Sequence, residues 1–267
     1  MKYRHVVPLI VCAGLLQGQG PVEKAWSLLT NGASDKSWET RTRAFQALAL
    51  MEDNAKARGM AEKAIAGDDR SEVRAAAALA LGEMGAKESK PRLMEAVKDN
   101  DTEVVFAATN ALFQLGDPAA FQVYFAVLTG EKKSGEGLVD SQMKMLKDPK
   151  ALTNMGLEAG IGFIPFGGIS YKVFKMATAD AVSPVRALAA ARLAGDRDPK
   201  TTTALVTASK DSKWLVRAAA VGAIARRNDP GLMSVIEPLM EDENLTVRFN
   251  TAAAIVRLSG VKPAAKR

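Results

Sequence analysis

The chain has 267 residues, of which 48% are hydrophobic and only 6% aromatic, and its formal net charge is +6. A core made mainly of Ala, Leu, Val and Ile suits closely packed helices. So small an excess of positive charge does not indicate a nucleic-acid-binding protein, and no nucleic acid is expected as a partner.

The first 20 residues are typical of an export signal. Lys2 and Arg4 precede an apolar run over residues 6–16, and small and polar residues follow as far as Gly20. The run is too short to span a bilayer as a helix. We therefore expect residues 1–20 to be a signal peptide and the protein to be exported, to the periplasm or outside the cell.

Removal of this signal would take away the only His and the only Cys, His5 and Cys12. The remaining chain would have no zinc site of Cys or His, no Ser-His-Asp triad and no disulfide. Its net charge would fall from +6 to +4, because Lys2 and Arg4 are lost with no acidic residue. Val11 stands where a lipoprotein signal needs a small residue, which argues against lipid attachment at Cys12. We expect no enzyme, no cofactor and no metal.

Residues 21–36 are predicted to contain a lone helix, around Trp26, that caps the first repeat. Beyond it a Val-Arg pair that opens an Ala-rich stretch recurs along the chain. The Arg positions of this pattern are Arg43, Arg74, Val105, Arg186, Arg217 and Arg248. Four of the five intervals are 31 residues, and the fifth, 81, is 31 plus an insertion of 50. Such self-similarity predicts a solenoid.

Each repeat is predicted to be a helical hairpin. In the second repeat Val73, Ala77 and Leu81 lie on one helical face, and the other repeats follow the same spacing. Residues that tolerate a left-handed backbone end these first helices at Asn54, Gly85, Gly116 and Asn228. A second amphipathic segment follows each stop. The predicted fold is all-α, a right-handed α-solenoid with repeats 1–3 in 37–130, an inserted segment in 131–180, and repeats 4–6 with a tail in 181–267.

The repeat pattern D-x5-[VL]-R-x-A-A-x-A-L-G resembles the short HEAT-like repeats named after phycobilin lyases, over about residues 37–130 and 181–260. The resemblance implies an armadillo-like solenoid but not one activity, since HEAT-like proteins differ widely. HEAT-like deoxyhypusine hydroxylase uses His-Glu motifs for iron, and none is present here. HEAT-like alkylpurine glycosylases bind DNA, against which export and the low charge argue.

An Asp stands six residues before most of the Arg positions, with Ser37 in the first repeat. An acceptor there could cap the coming helix. The resemblance implies a structural ladder between repeats, with an anion-binding row as the alternative. The ladder residues are Asp68, Arg74, Asp99, Asp180, Arg186, Asp211, Arg217, Asp242 and Arg248. Val105 breaks the series, so the rung at Asp99 is expected to be weaker.

The inserted segment 131–180 contains an apolar run rich in Gly and aromatic residues. Its candidate contacts with a partner or a membrane surface are Phe163, Ile164, Phe166, Tyr171 and Phe174. A degenerate repeat that only continues the core is the alternative.

These patterns favour a non-enzymatic protein-binding scaffold of the cell envelope that uses its concave face and the insertion. The alternatives are peripheral membrane-surface binding through the insertion, and a HEAT-like lyase or other enzyme.

Overall fold

The computed structural model describes residues 20–121 and 182–261, which are helical and contain no strand. The helices are α1 Pro21–Ala33, α2 Trp38–Leu48, α3 Ala55–Gly67, α4 Ser71–Glu83, α5 Lys90–Ala96, α6 Thr102–Gln114, α7 Val182–Arg192, α8 Pro199–Ala208, α9 Trp214–Arg226, α10 Met233–Ile236 and α11 Leu245–Ser259. Short 3-10 segments are Lys87–Ser89, Leu193–Gly195, Pro230–Leu232 and Glu237–Glu241. The prediction of an all-α fold is confirmed. Apart from its last residue, the predicted signal peptide lies outside the described residues, as does the inserted segment 131–180.

Consecutive hairpins stack through their first helices. Helix α2 packs on α4 and α4 on α6, while α7 packs on α9 and α9 on α11. Each second helix packs on the first helix of the next repeat, so α3 packs on α4, α5 on α6 and α8 on α9. Ala at most facing positions lets these helices approach closely, and every residue from Leu215 to Ala225 in α9 is buried. The hairpins therefore share one continuous core, as in a HEAT solenoid.

Left-handed residues end three of the first helices where the sequence predicts them. Gly85, Gly116 and Asn228 have φ values of 72°, 67° and 52°. In the first repeat Asp53 takes this conformation, with φ of 54°, and the prediction for Asn54 is wrong. Asn54 instead caps α3, because its side chain accepts a backbone N–H from the first turn of that helix.

The two ends of the chain meet inside the stack. Helix α11 packs on α2 as one first helix on the next, and α1 packs on both, more extensively on α11. The ammonium of Lys56 at the start of α3 lies 3.9 Å from the ring centre of Trp26 near the start of α1. Helix α1 thus lies against both α11 and α2 and touches α3, which is the place of a second helix in this stack. It is not the end cap that the sequence predicts.

Arg257 of α11 makes polar contacts across the junction between α11 and α2, which we call the seam. Its guanidinium donates to the carbonyl of Leu50 at 2.9 Å, to the carboxylate of Glu52 at 2.7 Å and to the side chain of Asn228 at 2.9 Å. Below it, the ring of Phe249 packs against Gly32 of α1 so closely that a Cβ there would lie 2.4 Å from the ring. The spatial order of first helices is therefore α7, α9, α11, α2, α4, α6.

The outer helices of this order are α6 and α7, which flank residues 122–181 in sequence. Most of the large hydrophobic side chains that are exposed in the described ranges lie on them or just beyond them. These are Phe113, Phe121, Val185, Leu188 and Leu193, of which Phe121 is 58% and Val185 65% exposed. No large hydrophobic side chain of the inner helices α9 and α11 is exposed.

Candidate functional site

The predicted ladder joins neighbouring repeats through bidentate ion pairs. Arg74 donates through Nε and Nη2 to the two carboxylate oxygens of Asp99, both at 2.8 Å. Arg217 pairs in the same way with Asp242, at 2.7 and 2.8 Å. Arg186 makes a single contact with Asp211. Each Arg therefore ties its own helix to the turn that begins the next repeat.

The same Arg side chains also stabilise the turn before their own helix. Arg74 Nη1 donates to the carbonyl of Asp68 at 3.0 Å, and Arg217 Nη1 donates to the carbonyls of Asp211 and Ser212. With Asp242 and Glu243 as its other acceptors, every donor group of Arg217 is engaged. Such a guanidinium has no donor left for a bound anion, which argues against the anion-binding alternative at this rung.

The prediction of a capping acceptor is confirmed for Ser37, whose side chain accepts the N–H of Thr40 at the start of α2. It is wrong for the ladder carboxylates that the structure describes, which do not cap helices. Asp99 accepts the backbone N–H of Asp101, and Asp101 is itself the N-cap of α6. Asp242 accepts the N–H of Asn244, which caps α11. Asp68 and Asp211 likewise accept the N–H two residues on, from Arg70 and Lys213, which are the N-cap residues of α4 and α9 but make no side-chain cap. Each of these four Asp residues therefore fixes the backbone of the N-cap residue two positions on.

The first repeat uses a different Arg from the one that the period indicates. Arg41, not Arg43, pairs with Asp68, through two contacts of 2.8 Å. Arg41 also donates to the carbonyl of Asp35, whose carboxylate accepts the N–H two residues on, as in the other rungs. The interval from Arg41 to Arg74 is 33 residues, so the prediction of 31 is wrong for this repeat.

The ends of the ladder also differ from the prediction. Asp99 is fully paired with Arg74, so the expected weakness at Asp99 is wrong, and Val105 instead lacks the charge for a rung beyond α6. Asp180 lies outside the described residues. At the seam, Arg248 has a buried Nε with no hydrogen-bond partner. Arg257 makes the polar contacts there instead.

Hydrogen bonding decides the charge state of the ladder. Burial of Asp99 acts to raise its pKa, but the bonds from Arg74 and from backbone N–H groups outweigh it and lower that pKa. The pKa of Asp242 is lowered in the same way by Arg217. The hydrogen bond to Asp99 raises the pKa of Arg74. The rungs are therefore ionised near neutral pH.

A second row of polar side chains lies at the C-terminal ends of the first helices. Glu83, Gln114, Arg226 and Arg257 each stand nine residues after the Arg position of their repeat, and Glu52 follows the end of α2. We call these five residues the inner charge row. Equal spacing places the first four on one edge of the stack, and Glu52 joins them through Arg257. The row was not predicted, although the shared position nine residues after each Arg position is visible in the sequence.

The inner charge row lies on the inside of a curved stack. Helices α11 and α2 separate Arg226 on α9 from Glu83 on α4, yet each of the two charges shifts the pKa of the other. A Cβ at Gly222 of α9 would lie 3.8 Å from the side chain of Leu50 after α2. The Gly222–Leu50 approach shows that helices two positions apart converge at this edge, as on a concave face.

Glu83 and Arg226 are the perturbed members of the row. Burial raises the pKa of Glu83 to about 7, and the charge of Arg226 acts in the opposite direction. Burial likewise lowers the pKa of Arg226, against the effect of Glu83. Both side chains keep partial contact with solvent. Within residues 20–121 and 182–261 neither has a hydrogen bond or an ion pair within 4.0 Å.

Other kinds of site find no support in the described ranges. No group of three or more His, Cys, Asp or Glu side chains there could hold a metal ion. No helix of that part of the chain is both long and apolar enough to cross a bilayer. The candidate contacts of the insertion lie outside the described residues; they are Phe163, Ile164, Phe166, Tyr171 and Phe174.

The fold and the ladder together define a solenoid of stacked helical hairpins. A family model of HEAT repeats matches residues 60–132 and 172–256, more than half of the chain. The chain therefore belongs to the HEAT repeat family, whose members generally serve as protein-interaction scaffolds. Among curated proteins, no significant match to the sequence is found.

Proposed function

We propose that this protein is a non-enzymatic protein-binding scaffold of the cell envelope that receives its partner on the inner side of the stack. The observation that carries the proposal is the inner charge row, in which Glu83 and Arg226 have no hydrogen-bond or ion-pair partner among the described residues. Charged groups that are desolvated but unpaired are costly, and surfaces that bind partners concentrate them.

The frame around this row is suited to presenting a fixed surface. The rungs from Arg41 to Asp68, from Arg74 to Asp99 and from Arg217 to Asp242 tie successive turns together. The seam at Arg257 adds the same restraint where the two halves of the chain meet. A binding surface on such a frame loses little conformational entropy when a partner docks.

Site-specific photo-crosslinking tests the scaffold in the cells that make the protein. A photoreactive residue is placed at Gln114, an exposed member of the inner charge row, or at Lys63, an exposed residue of α3. We expect discrete protein adducts at Gln114 that are missing at Lys63. Identical adducts at the two positions, or none at Gln114, would contradict the proposal.

The location in the envelope is supported by the composition of residues 1–20 and is tested separately. Cell fractionation is expected to recover the protein from the periplasm or the medium, shortened at its N-terminus. Recovery of the full-length chain from the cytoplasm alone would show that residues 1–20 do not direct export.

Binding to a membrane surface through the inserted segment is the second candidate. It is favoured by the exposed side chains of Phe113 and Phe121, whose ring centres are 5.2 Å apart. Both residues lie at the end of the stack that leads into that segment. Flotation with anionic liposomes decides this point. Failure to float with the vesicles removes the candidate, and co-flotation that is lost on exchanging Phe163 and Phe166 for Ser supports it.

A further inference from the structure

We propose that Glu83 and Arg226 jointly bind a partner segment that carries one acidic and one basic side chain, the acidic one on Arg226 and the basic one on Glu83. This inference rests on the proposed function and specifies the chemistry of the segment that the scaffold receives.

Arg226 is the member of the row that lacks acceptors. Arg257, one helix away, donates to Leu50, Glu52 and Asn228. No acceptor in the described part of the chain takes a hydrogen bond from Arg226, whose Nη1 instead lies 3.6 Å from the position of a Cβ at Gly222. An unengaged guanidinium fork matches a carboxylate, which it can bind through two parallel hydrogen bonds.

Glu83 supplies the complementary group at the equivalent position of α4, on the edge of the stack where α9 approaches the end of α2. Its carboxylate accepts no hydrogen bond from the residues described, and no cation lies within 4.0 Å of it. A ligand with only a carboxylate would satisfy Arg226 and leave Glu83 both unpaired and repelling. A ligand with only a cation would pair with Glu83, but it would leave the Arg226 guanidinium unpaired and repel it. A segment with both charges satisfies both groups, so charge complementarity selects it.

Four fluorescent ten-residue peptides on a Gly, Ser and Ala framework test this selection. One carries a Glu and a Lys three residues apart, one carries the Glu alone, one the Lys alone, and one neither. Fluorescence anisotropy with the full-length protein at pH 8, where Glu83 is mostly ionised, measures their affinities. We expect the peptide with both charges to bind at least tenfold more tightly than any of the other three.

Variants assign the two contacts. Arg226→Gln is expected to lower the affinity for the mixed peptide to that of the Lys-only peptide, and Glu83→Gln to that of the Glu-only peptide. Arg226→Lys keeps the charge but not the fork, and we expect it to lose part of the affinity while keeping the fold. The control is the double change of Arg92 and Glu95 to Gln, an exposed ion pair of α5, which should change nothing.

The outcomes separate this inference from the proposed function. Equal affinity for all four peptides, no measurable binding, or unchanged affinity in Arg226→Gln and Arg226→Lys would overturn the inference. If crosslinks at Gln114 then persist in the Arg226→Gln protein, the scaffold stands and only its charge selectivity is refuted. Loss of those crosslinks in Arg226→Gln, together with loss of the mixed peptide, supports both.

Discussion

At the scale of single residues, the ladder consists of rungs that differ in burial. The side chains of Arg217 and Asp242 are only 9% and 6% exposed, whereas Arg186 is 49% exposed. Removing one partner of a buried pair leaves the other charge desolvated and unpaired. In the rung of Arg186 the partner Asp211 is also only 10% exposed, but the Arg186 side chain is half exposed and makes a single contact, so its loss should cost less.

We therefore expect Arg217→Ala to lower the free energy of unfolding by about 3 kcal/mol. The matched change Arg186→Ala should cost less than about 1 kcal/mol. Urea unfolding followed by circular dichroism measures both. Equal losses in the two variants would show that burial does not set the value of a rung.

Glu83 gives the stability a pH dependence of predictable sign. Its pKa is about 7 in the folded protein, against 4.5 for an ordinary Glu, so the folded state binds this proton more tightly. The stabilisation that protonation brings is fully present below pH 4.5 and is lost as the pH rises to 7. Glu83→Gln cannot ionise and should be more stable than the natural protein at pH 8, by at most about 3 kcal/mol.

Urea midpoints at pH 4.5, 6 and 8 check this prediction. The difference between Glu83→Gln and the natural protein should be near zero at the lowest pH and grow with each step. Glu95→Gln, on the exposed face of α5, is the control and should show no such trend. A difference that stays constant with pH would contradict the burial of the Glu83 carboxylate.

The sequence predicts the ladder well where the spacing is regular. The recurring Asp and Arg positions, with the resemblance to HEAT-like repeats, predict a ladder, and the structure shows its pairs from Arg74 to Asp99 and from Arg217 to Asp242. The first rung does not, because Arg43 satisfies the period of 31 while Arg41 satisfies the geometry. The inner charge row was not predicted, since only curvature brings Glu83 towards Arg226.

At the scale of helices, close approach depends on a few positions without a Cβ. A Cβ at Gly82 of α4 would lie 2.7 Å from the backbone Cα of Ala111 on α6. A Cβ at Gly222 of α9 would meet nothing nearer than 3.6 Å. The same substitution should therefore have opposite effects in the two helices.

Gly82→Ala is expected to destabilise the protein by about 1–3 kcal/mol, because α4 and α6 must move apart. Gly222→Ala should be neutral or stabilising by up to about 1 kcal/mol, because Ala favours a helix more than Gly does. Thermal unfolding of the two variants compares them directly. A loss at Gly222 as large as that at Gly82 would contradict the packing distances.

Helix periodicity predicts most of the elements but not their partners. The first helices and their left-handed ends follow from Ala-rich faces and from Gly85, Gly116 and Asn228. The role of α1 could not be predicted, because Pro21–Ala33 carries no repeat pattern and its main contact, α11, lies more than 200 residues away. The local sequence pattern therefore predicts that a helix forms, whereas contacts with distant parts of the chain determine where that helix lies.

At the scale of the whole molecule, the chain does not run from one end of its solenoid to the other. Its first and last described helices, α1 and α11, lie in the middle of the order and form one composite repeat, and the outer helices α6 and α7 flank residues 122–181. The two halves, 20–121 and 182–261, therefore meet through α11 against α1 and α2. Their association is expected to survive without a covalent link.

Cleavage of the full-length protein at a single protease site inserted within residues 131–180 tests this arrangement most directly. Size-exclusion chromatography with light scattering should find both fragments in one peak with the mass of the uncut protein. The variant Gly32→Leu, which forces a side chain into the ring of Phe249, should release the fragments after the same cut. Separation of the cleaved natural protein into two peaks would contradict the packing of α11 against α1 and α2 that joins the two halves.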